Sequence, residues 1–279
     1  MKYTKYIFII LTICCWLTGY SQDTDSIRVD ILLDDELLKE LSIDAKFINS
    51  IEYTPDGFIL LSSENQFYIL GVGGVVPVWG NWNNENGIES FTIAFDSILV
   101  VVSGNTLCLL DSFNSFTKFQ IIPDNNMGIS SKHENIYVYD RILKNDKKDY
   151  SIYQISGNGE ITSLITIRTP ILSIFERPSQ LIFSTKNIVF SVEIKTKKLF
   201  QLFSLPHEDD IISIVGDTIH QTLYFSTDKT VYRVKNNQIE LVNEEFGGIL
   251  KYDGDGLLIF NPQENFIVRF RNNVLYDNQ

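Results

Sequence analysis

The feature that most constrains this chain is a motif that returns about every forty residues. Ser50, Ser90, Ser130, Ser173 and Ser213 each sit in an apolar stretch, at steps of 40, 40, 43 and 40, and Leu250 follows after 37. Each is trailed by two further short apolar runs separated by polar turns. A four-stranded twisted sheet of this length carries apolar side chains on both faces, and it can bury both only between two neighbours in a closed ring. A forty-residue period made of strands therefore predicts an all-β fold, a six-bladed β-propeller of four-stranded antiparallel blades.

The repeat is clearest where the second strand of each unit ends and the third begins. The fourth copy reads Leu181-Ile-Phe-Ser-Thr-Lys-Asn-Ile-Val-Phe-Ser-Val192 and the fifth Leu223-Tyr-Phe-Ser-Thr-Asp-Lys-Thr-Val-Tyr-Arg-Val234. Both show an apolar run, a Ser-Thr stop, a polar turn and an alternating strand. In the first unit the expected strands A to D are Ile48–Tyr53, Phe58–Ser62, Gln66–Leu70 and Val75–Trp79, with a Thr54-Pro55-Asp56-Gly57 turn between A and B. Proline presets the turn's φ and glycine accepts a positive one, so this is a hairpin signal with a mechanism. The blades span about 48–80, 87–123, 127–166, 170–204, 210–243 and 247–276. Ile27–Leu33 is the candidate strand that latches the ring, in competition with a short last strand at Asn273–Tyr276.

The N-terminus has Lys2 and Lys5, an apolar run from Tyr6 to Trp16, and Leu17-Thr-Gly-Tyr-Ser-Gln22 before the first acidic residue. That order is the order of a secretory signal, and the apolar run is short for a membrane span. Residues 1–22 are expected to be removed, leaving residues 23–279 as a single propeller domain in the periplasm or outside the cell. The competing fate is a lipoprotein anchor on Cys14 or Cys15, whose preceding residues, Ile13 and Cys14, fit that signal poorly. Without the signal, Cys108 is the sole cysteine, so no intramolecular disulfide forms and burial alone must hold the fold in an oxidising compartment. Loss of Lys2 and Lys5 leaves 21 Lys and Arg against 35 Asp and Glu, a net charge of −14. A chain this acidic is a poor ligand for nucleic acid or anionic lipid and a better one for cationic partners.

No catalytic constellation stands out. His133, His207 and His220 fall in different turns on two faces, and Asp253-Gly-Asp-Gly256 continues as Leu257, Leu258 and Ile259, where a calcium loop needs further ligands. Sorting loops by face is more informative. In a propeller the links between blades and the B–C turns share one rim, and the A–B and C–D turns share the other. The first rim collects Glu64, Glu85, Glu89, Asp124, Glu208, Asp209, Glu244, Glu245 and Glu264, offset by Lys186, Lys229 and the blade 3 insertion; the second collects Lys195, Lys197, Lys198, Lys235 and Arg271. On the acidic rim, Trp79-Gly-Asn-Trp-Asn-Asn-Glu-Asn-Gly87 places Trp82 among amide side chains, where it can stack on a sugar, anchor a protein interface or fold back as a packing lid. Trp82, Glu64, Glu85, Glu89, Glu208 and Asp209 are the candidate binding residues. Blade three adds a basic insertion at 140–149 between its B and C strands.

The recurring Ile-x-Ser-Ile strand, the Gly- or Asp-bearing turn, the apolar Ser-Thr strand and the Val-Tyr-x-Val strand resemble bacterial six-bladed propellers of the NHL and gluconolactonase-like kind, and also periplasmic sensor propellers. The resemblance covers residues 47–276 and is one of fold. Gluconolactonase-like enzymes hold a divalent metal in the channel on Glu, Asp and Asn of several innermost strands. Here Asn49 and Glu89 are the candidates at the start of those strands and serine fills the equivalent place elsewhere, a poor metal cage. The expectation is thus an exported binding or scaffold module with a protein or glycan partner and no cofactor. A metal-dependent hydrolase or lactonase with a divalent cation in the channel is the alternative.

Overall fold

The computed structural model describes residues 27–34 and 50–272, apart from short stretches in the connections between strands. The signal-like residues 1–22, with Cys14 and Cys15, lie outside them. Six four-stranded antiparallel sheets follow one another around an axis. Blade 1 is β2 (Ser50–Tyr53), β3 (Ile59–Ser62), β4 (Gln66–Gly71) and β5 (Gly74–Asn81). Blades 2 to 5 run β6 (Ser90–Ala94) to β9 (Phe116–Ile121), β10 (Gly128–Lys132) to β13 (Ile161–Ile167), β14 (Ser173–Arg177) to β17 (Leu199–Ser204), and β18 (Ser213–Asp217) to β21 (Gln238–Asn243). Blade 6 has β22 (Ile249–Tyr252), β23 (Gly256–Asn261), β24 (Phe266–Asn272) and, as its outermost strand, β1 (Ile27–Leu33). The fourth place in blade 6 therefore goes to the N-terminal latch; residues 273–276 fall outside the described residues.

The apolar core divides into six clusters, one at each junction between blades, including that between blades 6 and 1. The second strand of each blade explains how. Its side chains alternate between the two faces, and both faces are covered, so the strand reads as continuously apolar. Leu61 packs with blade 6 while Leu60 packs with blade 2; Phe225 packs with blade 4 while Tyr224 packs with blade 6. Cys108 is buried in the core between blades 1 and 2, and that burial raises its thiol pKa despite the opposing charge of Lys118.

The repeating serine binds blade to blade. An innermost strand is paired on one side only, so its other edge carries backbone groups that need partners. Ser90 Oγ donates to the Met127 carbonyl at 3.1 Å and Ser130 Oγ to that of Ile174 at 3.4 Å. Ser173 Oγ accepts from the Ile214 N–H at 3.0 Å and Ser213 Oγ from that of Leu250 at 2.9 Å. A hydroxyl serves in either sense because it both donates and accepts. The sixth copy departs from expectation. Ile249 pairs with Phe260, which sets Gly248 and not Leu250 opposite Asn261, the position matching Ser184 and Ser226. Gly248 has φ +140°, and a Cβ there would come within 2.3 Å of the Phe260 carbonyl oxygen, so no serine fits.

Three substitutions test what holds the ring together. Leu33, in the latch strand, is buried in the cluster between blades 6 and 1, so Leu33→Ala should cost about 2–4 kcal/mol in urea unfolding. The Asp30–Arg271 pair between β1 and β24, at 3.1 Å, is partly solvated, and Asp30→Asn should cost less than about 1 kcal/mol. Ser213→Ala, which strips the Leu250 N–H of its acceptor, should cost about 1–3 kcal/mol by the same measurement.

Candidate functional site

The innermost strands enclose a central cavity of about 290 Å³, lined by serines at the start of the strands and by Glu52, Glu176, Lys251 and Tyr252 toward their ends. Glycine shapes the wall. A Cβ on Gly128 would meet the Tyr139 ring at 2.3 Å, and one on Gly216 the Phe175 ring at the same distance. Those two rings thus lie against the inner strands, where larger residues would exclude them.

Every charged group at this cavity is tied to another blade. Glu52 Oε2 of blade 1 accepts from Lys251 Nζ of blade 6 at 2.7 Å and from Thr92 Oγ1 of blade 2 at 3.4 Å. These contacts span the junctions on either side of blade 1. Tyr137 OH of blade 3 donates to Glu176 Oε1 of blade 4 at 3.0 Å, and Tyr252 OH of blade 6 to Asp217 Oδ2 of blade 5, also at 3.0 Å. Arg141, where the blade 3 insertion begins, donates from Nη2 to the Glu89 carbonyl of blade 2 at 3.2 Å. Its neighbour Asp140 is buried and accepts from the Ser151 N–H at 2.8 Å, which pins the base of the insertion; residues 142–148 are outside the described residues.

Of the candidate binding residues, Asp209 is exposed on the acidic rim, and Glu89 is half-buried there with its carbonyl held by Arg141. Trp82, Glu64, Glu85 and Glu208 lie outside the described residues, as do Asn49, His133, His207 and His220. Among the described residues, Asp209, Asp210, Glu244, Glu245 and Glu264 are exposed on one side together with Lys186, Lys229 and Arg168, and Lys195, Lys197, Lys198, Lys235 and Arg271 are exposed on the other together with Glu160. Among them no three Asp, Glu, His or Cys side chains converge as a metal-holding group. Gly254 adopts φ +93°, as the turn reading of the Asp253–Gly256 stretch requires.

Glu52, Lys251, Glu176 and Arg141 escaped the sequence reading because each occurs in one blade and no repeat marks it. The signal that was present is position: Glu52 lies two residues after its repeat serine and Glu176 three after its own, close enough to share the channel.

The tyrosines make the channel's electrostatics measurable. Burial, then the charge of Glu176 and the hydrogen bond to it, push the Tyr137 phenol well above its ordinary range. Burial also raises Tyr139, against the opposing pull of Arg141. A phenol whose pKa is higher folded than unfolded contributes stability that is full below about pH 10 and falls as pH rises beyond it. Unfolding free energy should decline above about pH 10, and Tyr139→Phe should shallow that decline. In an ultraviolet titration these two phenols should ionise only as the chain unfolds.

No family model matches the sequence, and no curated protein matches it. Its fold is similar to that of virginiamycin B lyase from Staphylococcus aureus, at 13% identity and a TM-score of 0.62 over 88% of this chain and 99% of that one. It is similar to a gluconolactonase from Xanthomonas campestris, at 10% identity and a TM-score of 0.68 over 88% and 89%. It is also similar to the extracellular domain of a putative one-component system from B. thetaiotaomicron, at 10% identity and a TM-score of 0.56; there it covers 91% of this chain and 40% of the other. At such identities the likeness to these three structures is one of fold alone.

Proposed function

We propose that this chain is an exported binding or scaffold module that engages a protein or glycan partner through its acidic rim. The observation that carries this reading is the division of charge. Channel groups are bonded to one another across blades, whereas the rim carboxylates of Asp209, Asp210, Glu244, Glu245 and Glu264 face solvent. A row of exposed like charges attracts a cationic partner and adds on-rate. Trp82, Glu64, Glu85, Glu89, Glu208 and Asp209 form the proposed contact surface. Export is supported by the signal-like residues 1–22 and by the likeness in fold to part of the extracellular domain from B. thetaiotaomicron.

The ties made by the channel carboxylates support the reading without a divalent cation there. Glu52 Oε2 is engaged by Lys251 and Thr92 and Glu176 Oε1 by Tyr137, so a metal would compete with protein partners for one oxygen of each carboxylate. No chemical step is therefore assigned to the channel.

Two measurements check this reading. Immobilised chain should bind members of a panel of lysine-rich peptides and neutral glycans, with peptide association slowed by added salt. Trp82→Ala should weaken that binding by roughly tenfold without moving the melting temperature. A lowered melting temperature with binding intact would make Trp82 a packing lid and overturn the contact surface. Micromolar calcium or zinc should leave the melting temperature unchanged; a saturable rise abolished by Asn49→Ala would favour the metal-dependent hydrolase instead.

A further inference from the structure

The outer wall of the ring carries a pattern that neither channel nor rim accounts for. Among the described residues eight large apolar side chains are exposed, and five lie on the outermost strands of two adjacent blades: Leu199, Phe200 and Leu202 on β17 and Ile239 and Leu241 on β21. The register shows where they point. Ile239 and Leu241 sit opposite Val234 and Tyr232, which pack into the core between blades 4 and 5, so they face blade 4. Phe200 sits opposite Ser191, two residues from Val189 of that same core, so it faces blade 5. These three side chains line a groove between the blades, and Phe203, with its ring 4.9 Å from that of Phe225, forms its floor.

Charge is ordered along both strands. At the basic-rim end stand Lys195, Lys197 and Lys198 before β17 and Lys235 before β21; at the acidic-rim end stand Asp209 and Asp210 after β17 and Glu244 and Glu245 after β21. All are exposed. Lys197 Nζ reaches the Ser163 carbonyl at 2.7 Å and Lys198 Nζ lies 5.0 Å from the Phe200 ring centre, so those two also hold the local structure. Blade 3 has the opposite order, with Glu160 before β13 and Arg168 after it, so the pattern does not extend to that neighbouring blade.

A surface that is basic at one end, apolar in the middle and acidic at the other matches itself after a half turn. We infer that a second copy of this chain docks on the groove between blades 4 and 5, related by a two-fold axis that sets the lysines of each copy against the carboxylates of the other. Such an interface is isologous and closes at two copies. The packing is face to face, because the β16–β17 and β20–β21 ladders each carry a bulge that twists the outer edge away from continuous strand pairing. This surface shares Asp209 with the proposed contact surface and takes Asp210, Glu244 and Glu245 from the same acidic rim, and it uses none of Trp82, Glu64, Glu85 and Glu89.

Sedimentation velocity across a concentration series tests it. The parent chain should show a monomer–dimer equilibrium that weakens at high salt. Lys195→Glu with Lys235→Glu, and separately Glu244→Lys with Glu245→Lys, should each raise the dimer dissociation constant by roughly tenfold or more, because like charges then meet at both ends. An equimolar mixture of the two variants should recover association, since each supplies the ends that the other has lost. Leu241→Lys should remove the dimer while leaving the circular-dichroism melt unchanged. A parent that stays monomeric at every concentration, variants that dimerise as the parent does, or a mixture no better than either variant alone would each overturn the inference.

Discussion

Closure of the ring is the constraint on which everything else rests. Each blade's second strand sends alternate side chains to two different cores, so no blade can satisfy its apolar residues without a neighbour on both sides. In a row of six, the end blades would each expose one such face. The pairing of β1 with β24 makes blade 6 complete, and Leu33 carries that strand into the core shared with blade 1. Among the described residues the first strand is thereby held by the last, across a sequence separation that makes closure a non-local event with the loop entropy that entails.

Polar chemistry then follows the geometry of convergence. Near the axis the strands come together, leaving little space and many unpaired backbone groups, and serine answers both conditions by being small and able to bond in either direction. Ties of this kind run from blade 2 through blade 6. At the seam around blade 1 a charged arrangement appears, with Lys251, Glu52 and Thr92 spanning three blades. Channel charges thus belong to the architecture, which leaves the rim and the outer wall as the surfaces where charge faces outward.

How much of this was legible depends on whether the repeat carries it. Serine spacing, the Pro-Asp-Gly turn and the alternating third strands recur, so blade number and strand positions could be read directly, down to Gln66 as the start of β4. The spacing marks Leu250 in the sixth copy where the structure puts Gly248, because that glycine's role is set by the approach of the Phe260 carbonyl, a contact between strands that leaves no periodic mark. Glu52, Glu176 and Lys251 come from different blades, and only the closed ring brings such distant residues to one cavity. The groove on blades 4 and 5 was hidden for a related reason: Leu-Phe-Gln-Leu-Phe in β17 looks like any buried strand until topology places it outermost.

The β1–β24 pairing also settles how the molecule is presented to its surroundings. Ile27 lies opposite Asn272, so the chain enters and leaves the propeller side by side, at the end of blade 6 where the C–D turns lie. That is the lysine-bearing rim. Both crossings into and out of the propeller therefore lie on the basic side, opposite the carboxylate-rich rim.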